Sequence, residues 1–492
     1  MTSLNHTTFP RSHQIGASAP QQTGIVHFGL GNFHRAHLAV NTAHALAAQP
    51  GDWGIVGIAN RSHKVTDALR RQDFLYSIVT LDPAHRGVGV VDVHRHTLVA
   101  AEDALEILDT VADPAHRIIS LTISESGYHL DPRTNELQAE DPEIARDLAD
   151  GGASPSAPLS QLCFGLLRRF RQSKAPVTVL SCDNLLAAGR TTQTAVTQFL
   201  THAGASEEFF AWLAESVSFP NAMVDRIVPA PTEATREAAL AELGVSDEAA
   251  VPAELFTMWV IEDDFAAGRP RWEAAPGVIF SDEVEKYELV KLRLLNGGHS
   301  LLAYLGGLAE QPTIPEARAV PFVERCVRAA LTDEYLPSID LPTGFDADSY
   351  IEQLFARWSN SDLGDRTARV GSDGSTKLLQ RVPLPAIRML EQGEIPQQLA
   401  LTVAGWICCV CPPAGFEPGA IARDMADPKA QALATVTAGV RDVPTHVEAI
   451  LRGGFFPDQL TGYQEFVDRV TELVQTIVTD GVGAAADSAC GC

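Results

Sequence analysis

The stretch GIVHFGLGNFHRAH, residues 24–37, constrains the fold more than any other. It begins as a short apolar run of strand length and passes into Gly29-x-Gly31. The segment after the turn, 33–48, carries apolar residues at helical spacing. A strand feeding a glycine turn and then a helix opens a β-α-β unit, and such units build a parallel sheet covered by helices. The theme repeats. Buried strands are expected at 53–60, 74–81, 117–124 and 175–182, with helices at 63–72, 102–112 and 159–170 between them.

Near residue 280 the alternation stops. From there helical spacing predicts segments at 283–309, 321–332, 347–358, 396–411, 430–440, 443–452 and 463–479. The expected class is therefore α/β, with a sheet-containing domain over 1–280 and a mainly α-helical domain over 281–492. The final AAADSACGC reads as a disordered tail.

Several partners are excluded by charge and hydropathy. A net charge of −25 opposes nucleic acid, whose phosphates need a basic surface, but leaves room for a small anion in a local basic pocket. The start of the chain, MTSLNHTTFPRSHQ, lacks the apolar core of a secretion signal. The longest apolar run, 399–411, is shorter than the ~20 residues a membrane span needs, so a cytoplasmic protein is expected. The eight cysteines show no pair of separated CxxC motifs and are read as reduced thiols. His34, Arg35 and His37 are joined by no carboxylate or cysteine cluster, so no metal set is expected.

The glycine turn has a specific chemistry. Gly29 allows the tight turn, Gly31 lets backbone approach a pyrophosphate, and the following helix start supplies N–H donors. His34 stands where the third glycine of a dinucleotide fingerprint would fall, and Arg35 is expected to meet phosphate. The second strand ends Asn60-Arg61-Ser62, without the acidic residue that holds a ribose. An arginine there can stack on adenine or pair with a 2′-phosphate, so NAD and NADP both stay open.

The stretch KLRLLNGGHS, 291–300, sets polar residues on an otherwise apolar helix beside the expected domain junction. At about 100° per residue, with Lys291 as origin, Glu288 falls near roughly 60°, His299 near roughly 80° and Asn296 near roughly 140°. Leu294, Leu301 and the pair Gly297–Gly298 cover the other side, where a neighbouring backbone could approach closely.

These blocks, with LTISESGYHLD (121–131), VLSCDNL (179–185), SFPNAMVDRIVPA (218–230), WVIEDDFAAGRPRWE (259–273) and RTARVGSDGSTK (366–377), resemble the mannitol 2-dehydrogenase family of long-chain polyol dehydrogenases. That family includes fructuronate reductase (mannonate oxidoreductase) and arabinitol dehydrogenase. The matches run in the family's order from residue 24 to about 380. Asp264 stands where the family commonly has asparagine, and Arg61 where NAD-preferring mannitol enzymes tend to be acidic. The resemblance implies a Rossmann-like N-terminal domain, a monomer and zinc-independent hydride transfer. It implies NAD held along Gly29, Gly31, Asn32, Phe33 and Arg35, with Arg61 keeping NADP in view. It further implies Lys291 as general base, Asn296 and His299 completing a K-x4-N-x2-H motif, Asn184 as a second carbonyl-binding amide, and Asp225, Arg369 and Lys377 on substrate hydroxyls.

The chemistry is coherent from below. Oxidising a secondary alcohol without a metal needs a base, and a lysine amine must fall below its free pKa of about 10.4 to serve. Glu288 opposes that shift unless it passes the proton on. D-mannitol and D-fructose form the first substrate pair and D-mannonate with D-fructuronate the second. RTARVGSDGSTK is closer to the mannitol pattern, whereas QRVPLP (380–385) is closer to the fructuronate one.

Overall fold

The computed structural model describes residues 2–131 and 134–491. Its chain divides into two units, one ending at Glu285 and the other starting at Lys286. The first unit is built on a six-stranded sheet in the order β5-β2-β1-β6-β7-β8, every pairing parallel. Its strands are β1 (Thr23–Phe28), β2 (Gly54–Ala59), β5 (His94–Val99), β6 (Ile118–Leu121), β7 (Val177–Ser181) and β8 (Val217–Ser218). Successive strand residues face opposite sides, so Ile25 and Ile55 enter one core while Val26, Phe28, Val56 and Ile58 enter the other. Burial on both faces explains why these strands read as continuous apolar runs.

One expected strand lies elsewhere. Residues 74–81 contribute β3 (Tyr76–Leu81), which pairs antiparallel with β4 (Gly87–Val91) and parallel with β10 (Val251–Glu254) in a separate sheet. The short link between β3 and β4 permits a hairpin but no parallel crossover. The place beside β2 goes to β5, whose His94, Arg95 and His96 disguise it as a polar segment. A third sheet joins β9 (Ala222–Asp225), β11 (Met258–Ile261) and β12 (Val278–Phe280). The helix expected at 33–48 is two helices, Asn32–Ala36 and Leu38–Ala48, broken at His37 with φ −122° and ψ −91°.

The second unit is helical. The helix expected over 283–309 runs from Val284 to Leu308, but its middle, Lys291–Gly297, is wound as a π-helix. Segment 366–377 is a pair of short helices, Thr367–Gly371 and Gly374–Arg381, joined at Asp373 with φ +60°. The expected disordered tail is a helix, Val482–Cys490, with Ala485, Ala486 and Ala489 buried. Its small residues allow close approach to the helix Pro321–Ala329, so that the Cys326 and Cys490 sulfurs stand 3.4 Å apart. An alanine-rich tail reads as low complexity, yet alanine is the strongest helix former. The seven described cysteines are thiols, and Cys492 lies outside the described residues. No helix among the described residues is long and apolar enough to cross a membrane.

Candidate active site

In the first unit, β1 delivers Gly29 at its carboxyl end. The residue has φ +99°, and a Cβ there would collide with the Thr122 carbonyl, so only glycine fits. Gly31 is different: its φ is −93°, and the nearest atom to an added Cβ would be 3.7 Å away. Its backbone therefore borders open space. Beside the turn lies a cavity of about 210 Å³ walled by Phe28, Gly29, Ile58, Asn60, Ala100 and Thr122. It opens at the carboxyl ends of β1, β2, β5 and β6, where open parallel sheets take ligands. A glycine turn with open backbone at Gly31 and an apolar-walled notch fits a dinucleotide.

Three imidazoles hold this turn from behind, His34 with His27 and His94, the last two carrying no motif in the sequence. His27 Nε2 donates to the Gly29 carbonyl at 3.1 Å and lies 2.9 Å from Thr122 Oγ1, while Nδ1 is 2.8 Å from Ser120 Oγ. His34 stacks on His27 with ring centroids 3.5 Å apart and 15° between planes. Its Nε2 stands 2.9 Å from His94 Nε2. Burial pushes His27 and His94 down to about 3 and holds His34 well below the ordinary imidazole value, so all three are neutral. The third glycine of a dinucleotide turn normally permits close helix–strand packing. Here two flat rings lying face to face fill that gap, which accounts for His34 at the position.

Arg35, expected to meet phosphate, turns inward instead. The side chain is buried; Nη1 donates to the Ala249 carbonyl, Nη2 to Asn32 Oδ1 at 2.7 Å and Nε to the Gly31 carbonyl at 3.3 Å. It clamps the turn from inside rather than reaching outward to a phosphate. Arg61, just past β2, is 76% exposed and lies 3.6 Å from Glu143.

Two of the sequence blocks meet through Asp183, another residue the sequence reading passed over. Its buried carboxylate accepts from Ile123 N at 3.0 Å, Ser124 N at 2.8 Å and Tyr128 Oη at 2.8 Å. The loops after β6 and β7 are thereby tied, and Asn184, the next residue, is held exposed at the carboxyl end of β7. Asp225 is buried at the end of β9.

In the second unit the π-turn carries Lys291 and Asn296, and His299 follows on the resumed α-helix. These three are half-buried, whereas Leu292, Arg293, Leu294, Leu295, Gly297, Gly298 and Ser300 are buried. Hydrogen bonding between residues five apart brings positions i and i+5 toward one line. Asn296 therefore swings toward Lys291, away from the wide angle an α-helix would give it. The glycine pair does admit a close neighbour, though an aromatic one rather than backbone: a Cβ at Gly297 would overlap Tyr335, and one at Gly298 would overlap Trp358. Glu288, one turn before Lys291, is buried. Arg369 lies on the helix Thr367–Gly371, ion-paired with Asp365. Lys377, on the next helix, donates to the Ser372 carbonyl at 2.7 Å; burial and then the Arg381 cation hold its amine below the usual lysine range. No group of three or more His, Cys, Asp or Glu among the described residues is arranged to hold a metal.

Comparison with known proteins covers both units. A family model described as the mannitol dehydrogenase Rossmann domain matches residues 23–274, and the mannitol dehydrogenase C-terminal domain matches 283–478. The uncharacterized oxidoreductase YeiQ of Escherichia coli is 37% identical over 94% of each chain. The D-mannonate oxidoreductase of the same organism is 35% identical over 98% of each chain. The structure of Pseudomonas fluorescens mannitol 2-dehydrogenase, a ternary complex with NAD and D-mannitol, is 32% identical, with a TM-score of 0.84 and 99% of each chain covered.

Two outcomes follow from the turn. Gly31→Ala should fold normally yet bind NADH about tenfold more weakly, since a methyl enters the open approach; Gly29→Ala should lose both thermal stability and binding. Fluorescence titration with thermal melts separates the two, and equal behaviour of both variants would contradict the assignment. The neutral imidazoles also predict acid sensitivity. Below pH ~6.5 the unfolded chain takes up protons that the folded imidazoles refuse, so stability is complete above that pH and is lost as pH falls toward 3, by about 1.4 kcal/mol per pH unit for each histidine. Urea midpoints between pH 7 and 5 should fall less steeply in His94→Asn than in the parent protein; an unchanged slope would count against the imidazole account.

Proposed function

The chain belongs to the mannitol dehydrogenase family of oxidoreductases, and we propose that it interconverts a polyol and its ketose, D-mannitol and D-fructose first, with NAD as cofactor. The observation that carries this reading is the π-winding of Lys291–Gly297, which turns the Asn296 amide toward the Lys291 amine, with the His299 imidazole following on the resumed α-helix. The relative solved with NAD and D-mannitol supports the choice of ligands.

When bound, NAD supplies the nicotinamide that takes hydride from the carbinol carbon. The backbone of Gly29, Gly31, Asn32 and Phe33 would lie along its pyrophosphate, with Arg35 fixing the turn's shape and Arg61 at the ribose end. That arginine, where an acidic residue would select NAD, keeps NADP as an arm of the test.

Lys291 takes the hydroxyl proton as the alcohol is oxidised. It must be neutral to do so. Glu288, buried one turn away, receives or relays that proton. Asn184 and Asn296 donate amide N–H groups to the oxygen that becomes the carbonyl, and the loss of one such donor costs on the order of 2.7–4 kcal/mol in other enzymes. His299 orients a neighbouring hydroxyl, while Asp225, Arg369 and Lys377 hold the rest of the chain of hydroxyls.

A second reading, D-mannonate and D-fructuronate, is favoured by the D-mannonate oxidoreductase relative. Arg369 and Lys377 suit it too, because guanidinium and ammonium groups bind carboxylates as well as hydroxyls.

Lys291→Ala should reduce turnover by about 10²–10⁴-fold while NADH binding stays within about twofold. Near-normal turnover at neutral pH would overturn the lysine-base reading. A spectrophotometric panel of NADH and NADPH against fructose, fructuronate, tagaturonate and xylulose should show fructose-dependent NADH oxidation. Preference for fructuronate would select the second reading, and a flat panel would sink both.

A further inference from the structure

The π-turn raises a question of backbone accounting. Where the winding passes between π and α, the donor to a carbonyl changes from residue i+5 to i+4, and bonds from other elements can fix the junction. The Asn296 carbonyl accepts from another helix: Arg381 Nη1 donates to it at 2.9 Å and to Ser300 Oγ at 2.8 Å. Ser300 is buried, and its hydroxyl in turn donates to the Asn296 carbonyl at 3.3 Å. A single guanidinium nitrogen therefore closes a small ring of hydrogen bonds on the residue that carries the amide.

Arg381 ends the helix Gly374–Arg381, four residues after Lys377, so the two side chains share a face. Lys377 binds the carbonyls of Ser372 and Val370, which close the helix bearing Arg369. The arginine thus joins the element holding the proposed substrate cations to the turn holding the proposed base. Its planar fork directs both Nη1 hydrogens, a geometry that an ammonium copies only in part.

We propose that Arg381 is a positioning residue: by holding the Asn296 carbonyl it fixes the rotation of the π-turn and so aims the Asn296 amide and the Lys291 amine. The proposal rests on the reading of Lys291 as the base. The Arg381 cation is, after burial, a cause of the lowered Lys377 amine, and a fixed cation favours the neutral form of an amine beside it.

The test compares Arg381→Met and Arg381→Lys with the parent full-length enzyme. Readouts are kcat, KM for the polyol, the Kd for NADH, the pH profile of kcat and the thermal midpoint. Arg381→Met should lower kcat by about tenfold or more, change polyol KM by less than about threefold and leave NADH binding unaltered. The acid limb of its kcat profile should move up by about half a pH unit, because loss of a nearby cation favours the protonated amine. Arg381→Lys, which keeps the charge, should recover the pH profile and part of kcat. A kcat within twofold of the parent in Arg381→Met would overturn the proposal. So would a loss that tracks a lower thermal midpoint with the pH profile unmoved, the sign of a structural role alone. Lys291→Ala, run in parallel, separates the two levels: if it keeps turnover, the base reading and this proposal fall together. If it is inactive while Arg381→Met is normal, only the positioning role falls.

Discussion

Winding hydrogen bonds from residue i+5 to residue i decides which side chains of the second unit can act together. In an α-helix Lys291 and Asn296 would be spread across a wide arc; the π-turn draws them toward one line, with His299 following on the resumed α-helix. That winding has requirements that the surrounding structure meets. Gly297 and Gly298 leave room for Tyr335 and Trp358, which pack where any side chain would collide. Arg293 anchors the buried side through Ser338, its Nη1 2.9 Å from the hydroxyl. Arg381 anchors the Asn296 carbonyl. Two arginines and two aromatic rings thus hold a rare backbone form in place, and the polar stripe follows from it.

The glycine turn of the first unit depends on a different balance. A neutral imidazole can donate through one nitrogen and accept through the other while its ring packs like an apolar plate. His27 uses both properties, bonding the Gly29 carbonyl and lying flat beneath His34. Burial keeps these rings uncharged, so the support is strongest near neutral pH and weakens in acid. Asp183 acts similarly on the neighbouring loops, where one carboxylate organises Ile123, Ser124 and Tyr128 and leaves Asn184 presented at a strand end. The rigid parts lie behind the open backbone, as a preorganised site requires.

Much of this was legible in the sequence, and the failures have physical causes. Strands β1, β2, β6 and β7 announce themselves because both faces are buried and most of their residues are apolar. β5 does not, because its histidine and arginine find partners only after folding; Arg95, for example, pairs with Asp92 at 2.8 Å. β3 reads as a buried strand, yet periodicity cannot say which sheet it joins. The polar stripe at 291–299 was visible, but a helical wheel assumes α winding and so placed Asn296 too far away. Arg35 stood at the helix start where a phosphate contact is common; its inward direction is set by Ala249, more than 200 residues along the chain. His27 and Asp183 gave no local signal, since each acts through hydrogen bonds to backbone that spacing does not reveal.

The account stands on Lys291 acting as a base whose pKa lies well below that of a free amine. Single-turnover hydride transfer, followed at the nicotinamide absorbance with D-mannitol across pH 5–10, measures this directly. The rate should rise with pH through one ionisation well below ~10.4, and that limb should vanish in Lys291→Ala. A rate that keeps the same limb in the variant would assign the proton to another group and contradict the account.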